Sequence, residues 1–166
     1  MIKVTYKNTM PYEVDYTRRS SKYRPFGQES YKNKGETIES IVKFHRGIYS
    51  EVNPNTSYDK GSDIEEEMAS VKSSEGSLGR SIGGRNNTGA QKIVCYFKTV
   101  HSKVFIWVEW NEETETVTEY QMNKREFGEF VRLFTRICNN SEHTEKAVRF
   151  RKTNRKMIEW LESKAG

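Results

Sequence analysis

KVFIWVEWNEETETVTEYQM, residues 103–122, reads as two strands around an acidic turn. KVFIWVEW is a run of branched and aromatic residues with little polar alternation, the pattern of a central strand covered on both faces. NEETET breaks the run, and VTEYQM at 117–122 returns as an antiparallel partner. KIVCYFKTV at 92–100 has the same character and joins the first strand around His101 and Ser102. Phe97, Phe105, Trp107 and Trp110 are therefore expected in packing, in what should be core sheet.

Downstream, Asn123 and Glu126 form a capping-box pattern ahead of Phe127, Phe130, Val131, Phe134 and Cys138 on one helical face. A last helix follows Thr153, its apolar surface supplied by Met157, Ile158, Trp160 and Leu161. Upstream, GETIESIVKFHRG at 35–47 places Ile38, Ile41, Val42 and His45 at helical spacing, with Gly47 as its stop. The order predicts an α/β or α+β domain over 35–166, with one central mixed β-sheet and flanking helices. Residues 1–34 read as a basic, tyrosine-rich arm, irregular and broken by Pro25 and Gly27.

Charged residues make up 31% of the chain and aromatics 12%, and the aromatics supply buried area that the aliphatics do not. The formal charge of +5 permits a polyanionic partner. The excess sits at the ends: eight Lys and Arg against three acids in 1–35, and seven against three in 143–166. Cys95 and Cys138 fall in apolar patterns and read as buried thiols, and neither has a partner at zinc-ligand spacing. MIKVTYKNTM has no apolar core of signal-peptide length, and no run approaches membrane-spanning length. The expectation is a cytoplasmic protein with no membrane partner.

The chemistry concentrates in GSDIEEEMASVKSS, residues 61–74, which reads as hairpin-like. Period two places Glu66, Met68, Ser70 and Lys72 on one face and Glu67, Ala69 and Val71 on the other. One reading is a solvated acidic hairpin tip. The other starts from the order of parts: a helix with Glu36 and Glu39, then Asp63, then Ser70-Val71-Lys72, then a glycine-rich loop. That order resembles the PD-(D/E)xK nuclease superfamily, with its restriction-endonuclease-like fold, over roughly residues 35–110. The resemblance implies that Asp63 binds Mg²⁺ or Mn²⁺, that Lys72 positions or deprotonates water, and that Glu39, or else Glu36, is the helix glutamate. The second acid of the motif is replaced by Ser70, and the proline before the aspartate by Ser62. Since a hydroxyl is a poor hard-cation ligand beside a carboxylate, either an acid from Glu65, Glu66 or Glu67 replaces it, or the metal is held weakly, or the site does not cut.

Arg18, Arg19, Lys22 and Arg24, interleaved with Tyr16, Tyr23 and Tyr31, suit a flexible strand that follows phosphates and stacks on bases. Arg149, Arg151, Lys152, Arg155 and Lys156 form a second basic group. Each group reads equally as a solvated face. GSLGRSIGG lacks the spacing of a P-loop or dinucleotide fingerprint, but Arg80 and Arg85 there are placed to contact phosphate. The sequence therefore predicts a metal-dependent endonuclease acting on DNA. Its alternative is a non-catalytic nucleic-acid-binding, inhibitor or accessory protein of a phage or mobile element, with a homodimer or a protein partner open to both.

Overall fold

In chain order the elements are β1 (Ile2–Lys7), β2 (Tyr12–Asp15), β3 (Lys22–Pro25), α1 (Lys34–His45), a 3-10 turn (Glu65–Glu67), β4 (Ala69–Ser73) and β5 (Ser77–Leu78). There follow β6 (Val104–Asn111), β7 (Thr116–Asn123), α2 (Lys124–Cys138), β8 (Val148–Arg149) and α3 (Arg155–Ala165). The computed structural model describes residues 1–26, 28–48, 63–73, 77–78, 101–138, 148–149 and 155–165. The strand expected at 92–100 lies outside them.

β6 has the two-sided burial that its composition predicts. Phe105 and Trp107 face Phe127, Phe130 and Val131 of α2 and Met157 and Leu161 of α3, all buried. Phe105 stacks on Phe127 at 4.8 Å, and Trp107 meets Phe130 edge-on at 4.9 Å. The alternate residues Ile106 and Val108 pack with Ile38, Ile41 and Val42 of α1. The sheet runs β1-β7-β6-β4. β6 and β7 are antiparallel, from Val104 opposite Asn123 to Asn111 opposite Thr116, whereas β4 is parallel to β6. The sheet is mixed and helices cover both of its faces, an α+β arrangement. No helix among the described residues is long and apolar enough to cross a membrane.

Local chemistry fixes the helix starts. The Asn123 side chain accepts from the Glu126 N–H at 2.8 Å while Glu126 accepts from the Asn123 N–H at 3.0 Å, a reciprocal capping box. Asn33 caps α1 by accepting from the Glu36 N–H at 2.8 Å. Gly47, at φ +76, leaves α1 in the left-handed region, where glycine carries no Cβ penalty.

Residues 1–34 are not an irregular arm. β1 pairs antiparallel with β7 along its length, from Ile2 opposite Gln121 to Lys7 opposite Thr116, and is part of the main sheet. β2 and β3 form a hairpin, Tyr12 opposite Pro25 and Asp15 opposite Lys22. Its inner face is fixed to the 112–115 turn. The Tyr23 hydroxyl donates to Glu112 at 2.6 Å, the Tyr12 hydroxyl donates to Glu115, and both rings pack on Trp110 at 5.5–5.8 Å. The acidic turn is thus a docking point for tyrosines. Tyr23, expected to stack on bases, is buried here instead.

Candidate active site

The segment carrying Asp63 is a very tight hairpin. Ile64 and Ala69 bridge antiparallel around the 3-10 turn, and Met68 closes it with φ 50 and ψ 43. The Met68 carbonyl accepts from the N–H groups of Lys103 and Val104 at 2.8 and 3.2 Å, tying the hairpin to the start of β6. Asp63 then lies beside β4. Its Oδ2 accepts from the Val71 N–H at 2.7 Å and from the Ser70 hydroxyl at 3.4 Å. These bonds orient the carboxylate at the outer side of β4, the last strand of the described sheet.

Glu39 comes to this place from α1. Its side chain is 19% exposed and pairs with Lys43, one turn on, at 3.5 Å. Burial, and then the negative charge of Asp63, push its carboxyl up to about 7, against the opposing pull of Lys43 and Lys72. The charges of Asp63, Lys43 and Lys72 thus all bear on Glu39. Lys43 belongs to the set although the motif reading passed over it. The available signal was its position four residues after Glu39 on the same helix face.

Lys72 approaches from a direction that period two alone does not give. Ser70 and Lys72 do share a face, in register with Phe105 and Trp107. That is the face toward α2 and α3, while Ala69 and Val71 face α1. Glu39 is thus carried by α1 on one face of the sheet, while Lys72 belongs to the register of the other face.

The other acids go elsewhere. Glu67 accepts from Arg46 Nε through both oxygens at 3.0 Å, so its carboxylate is committed to an ion pair and not to Asp63. Glu65 is exposed on the turn, and the Glu66 side chain lies outside the described residues. Glu36 is engaged with its own N-cap, accepting from Asn33 Nδ2 at 2.6 Å. Among the described residues no group of three metal-ligating side chains occurs. The acids at the locus are Glu39 and Asp63.

Arg46 is the other residue missed by motif reading. Besides Glu67 it binds Glu119 of β7 at 2.6 and 2.9 Å and the Val42 carbonyl at 3.1 Å. It locks the end of α1 to the sheet and to the hairpin bearing Asp63.

Of the basic residues, Arg18 pairs with Asp15 at 3.4 Å, Arg24 pairs with Glu13, Arg19 is exposed and Lys22 half-buried. Arg155 pairs with Glu159 at 3.0 Å, and Lys156 is exposed. Arg149 sits in β8, opposite Ser77. Arg80, Arg85, Arg151 and Lys152 lie outside the described residues. Compared with protein-family models, curated proteins and solved structures, the chain matches none of them.

Proposed function

We propose that Glu39, Asp63 and Lys72 form the centre of a divalent-cation-assisted DNA endonuclease on a restriction-endonuclease-like scaffold. The observation that carries this reading is the electrostatic convergence at Glu39. Burial raises the carboxyl of Glu39 on α1, the charge of Asp63 on the hairpin adds to the rise, and Lys43 and Lys72 oppose it. Perturbed groups with specific charge partners are a mark of catalytic sites.

The donors fit Mg²⁺ or Mn²⁺ in one particular way. Mg²⁺ is commonly held by one or two carboxylates together with waters and substrate phosphate oxygens, and Glu39 and Asp63 supply that number. When bound, the cation supplies Lewis-acid polarisation of the phosphate and a more acidic water. Asp63, held by the Val71 N–H, presents its carboxylate in a fixed orientation. Glu39, raised to about 7 by burial and by Asp63, would have to give up its proton for a cation to bind, so occupancy should rise as pH rises through neutrality. Lys72 stabilises the negative charge that develops on the phosphoryl oxygens, and Lys43 holds Glu39 in place.

One observation favours the accessory reading, in which nucleic acid is bound and not cut. Asp63 Oδ2 already accepts two hydrogen bonds, and one of them comes from Ser70, which stands where the nuclease pattern has its second acid. Incubation with plasmid and short duplex DNA, in Mg²⁺, Mn²⁺ or chelator, separates the two. The endonuclease reading predicts metal-dependent cleavage by the wild type that Lys72→Ala abolishes. Salt-sensitive binding without cleavage on any DNA form assigns the accessory role.

A further inference from the structure

We propose that the outer side of the β2–β3 hairpin, with the segment that follows it, is a stacking surface for single-stranded nucleic acid. Tyr16, Phe26 and Tyr31 are 72%, 76% and 39% exposed, three large rings turned to solvent within sixteen residues of chain. Rings of this size are usually buried or reserved for a partner. Their support is rigid, because Tyr12 and Tyr23 on the inner face are hydrogen-bonded to Glu115 and Glu112 and packed on Trp110.

Cations share this surface. Arg24 lies over the Tyr31 ring at 5.7 Å, and Arg18 and Arg19 are exposed in the turn beside Tyr16. Glu13, Asp15 and Glu29 offset three of the four charges on Arg18, Arg19, Lys22 and Arg24, which leaves the surface with a net charge of +1. Exposed rings beside exposed arginines match a ligand that offers both π-faces and phosphates. A duplex hides its base faces in the stack, so this pairing fits a single strand. Tyr16 follows β2 and Phe26 follows β3, at opposite ends of the hairpin. The strip between them spans roughly 15 Å, about four stacked nucleotides.

The segment after the hairpin is tied to α1, the helix that carries Glu39: Gln28 Nε2 donates to the Ser40 hydroxyl at 3.4 Å. In this respect the inference deepens the nuclease reading and rests on it: the hairpin would hold the single-stranded form of the nuclease's substrate. Binding itself needs no cleavage and is measured without metal.

The test is fluorescence anisotropy of fluorescein-labelled oligothymidylate, and of a labelled duplex, in chelator. The wild type should prefer the single strand, and Tyr16→Ala/Phe26→Ala/Tyr31→Ala should lose affinity by about tenfold or more per ring engaged. Tyr31→Trp, which keeps a ring under Arg24, should retain binding, and circular dichroism should show the triple variant folded, since the replaced rings are exposed. Equal affinity for both strand forms, or no binding by the wild type, overturns the inference, as does a folded triple variant that binds normally. A surface that captures only protein partners shows the same absence of oligonucleotide binding. Ring-dependent binding by a protein that never cleaves DNA upholds the inference and removes the nuclease reading.

Discussion

Arg46 grips Glu119 through both carboxylate oxygens, Nη2 to Oε1 at 2.6 Å and Nη1 to Oε2 at 2.9 Å, joining the end of α1 to the middle of β7. Glu119 is 1% exposed and also accepts from the Tyr6 hydroxyl. Removing one member leaves a buried charge without its counter-ion, which costs far more than the pair contributes net. Arg46→Ala should destabilise the fold by about 3–5 kcal/mol in urea unfolding. Because Arg46 also holds Glu67, the variant should loosen the Asp63 hairpin, seen as faster amide exchange at Val71.

The same pair sets an acid limit. Burial works to raise the Glu119 pKa, but hydrogen bonds from Arg46 and Tyr6 outweigh it and hold the carboxyl below its usual range. A depressed folded pKa adds stability that is present above the unfolded value, about 4.3, and is lost as pH falls through the folded one. Stability should therefore drop below about pH 4. Glu119→Gln should flatten that part of the profile while lowering stability at neutral pH.

Glu39 has the opposite sign. Its carboxyl is raised to about 7, so the protonated form favours the fold, and that stability is complete below the unfolded value and lost as pH rises through 7. Glu39→Gln should be close to neutral at pH 4 and should stabilise the protein at pH 8 by on the order of 2 kcal/mol. Mg²⁺ should raise the melting temperature of the wild type at pH 8 and leave that of the variant unmoved, since binding to the native state stabilises by mass action. Thermal melts with and without chelator read both effects.

Met68 sits at φ 50, where a side chain other than glycine's is disfavoured by roughly 1–2 kcal/mol. The residue is 38% exposed, so truncation gives up less packing than at a core methionine. Met68→Gly should leave the protein as stable as the wild type or up to about 1 kcal/mol more so, by chemical denaturation. A loss of several kcal/mol would mean that the thioether packs against something essential.

The parts legible in the sequence were those encoded locally. β6, β7 and the start of α2 follow from apolar runs and a capping box, each contained within about a dozen residues. The N-terminal strands were not legible, because their partners are distant: Tyr23 meets Glu112 and Tyr6 meets Glu119. A polar tyrosine-rich segment looks the same whether its rings face solvent or a Trp110 many residues away. The bonds from the Val71 N–H and the Ser70 hydroxyl to Asp63 join residues seven and eight apart, and the hairpin-like pattern of 63–73 made that closeness readable. The face that Lys72 occupies depends on the parallel register of β4 with β6, which no local pattern states. Lys43 and Arg46 lacked a motif position; the four-residue spacing points Lys43 to Glu39, whereas only tertiary packing shows the partners of Arg46.

The most direct test of the central claim is single-turnover cleavage of supercoiled plasmid, comparing the wild type with Asp63→Asn under Mg²⁺ and under chelator. The wild type should nick or linearise the plasmid in Mg²⁺ and leave it intact in chelator, and the variant should lose at least about a hundredfold in rate. Cleavage that survives Asp63→Asn at the wild-type rate, or a wild type that leaves every DNA form intact in Mg²⁺ and Mn²⁺, would contradict it.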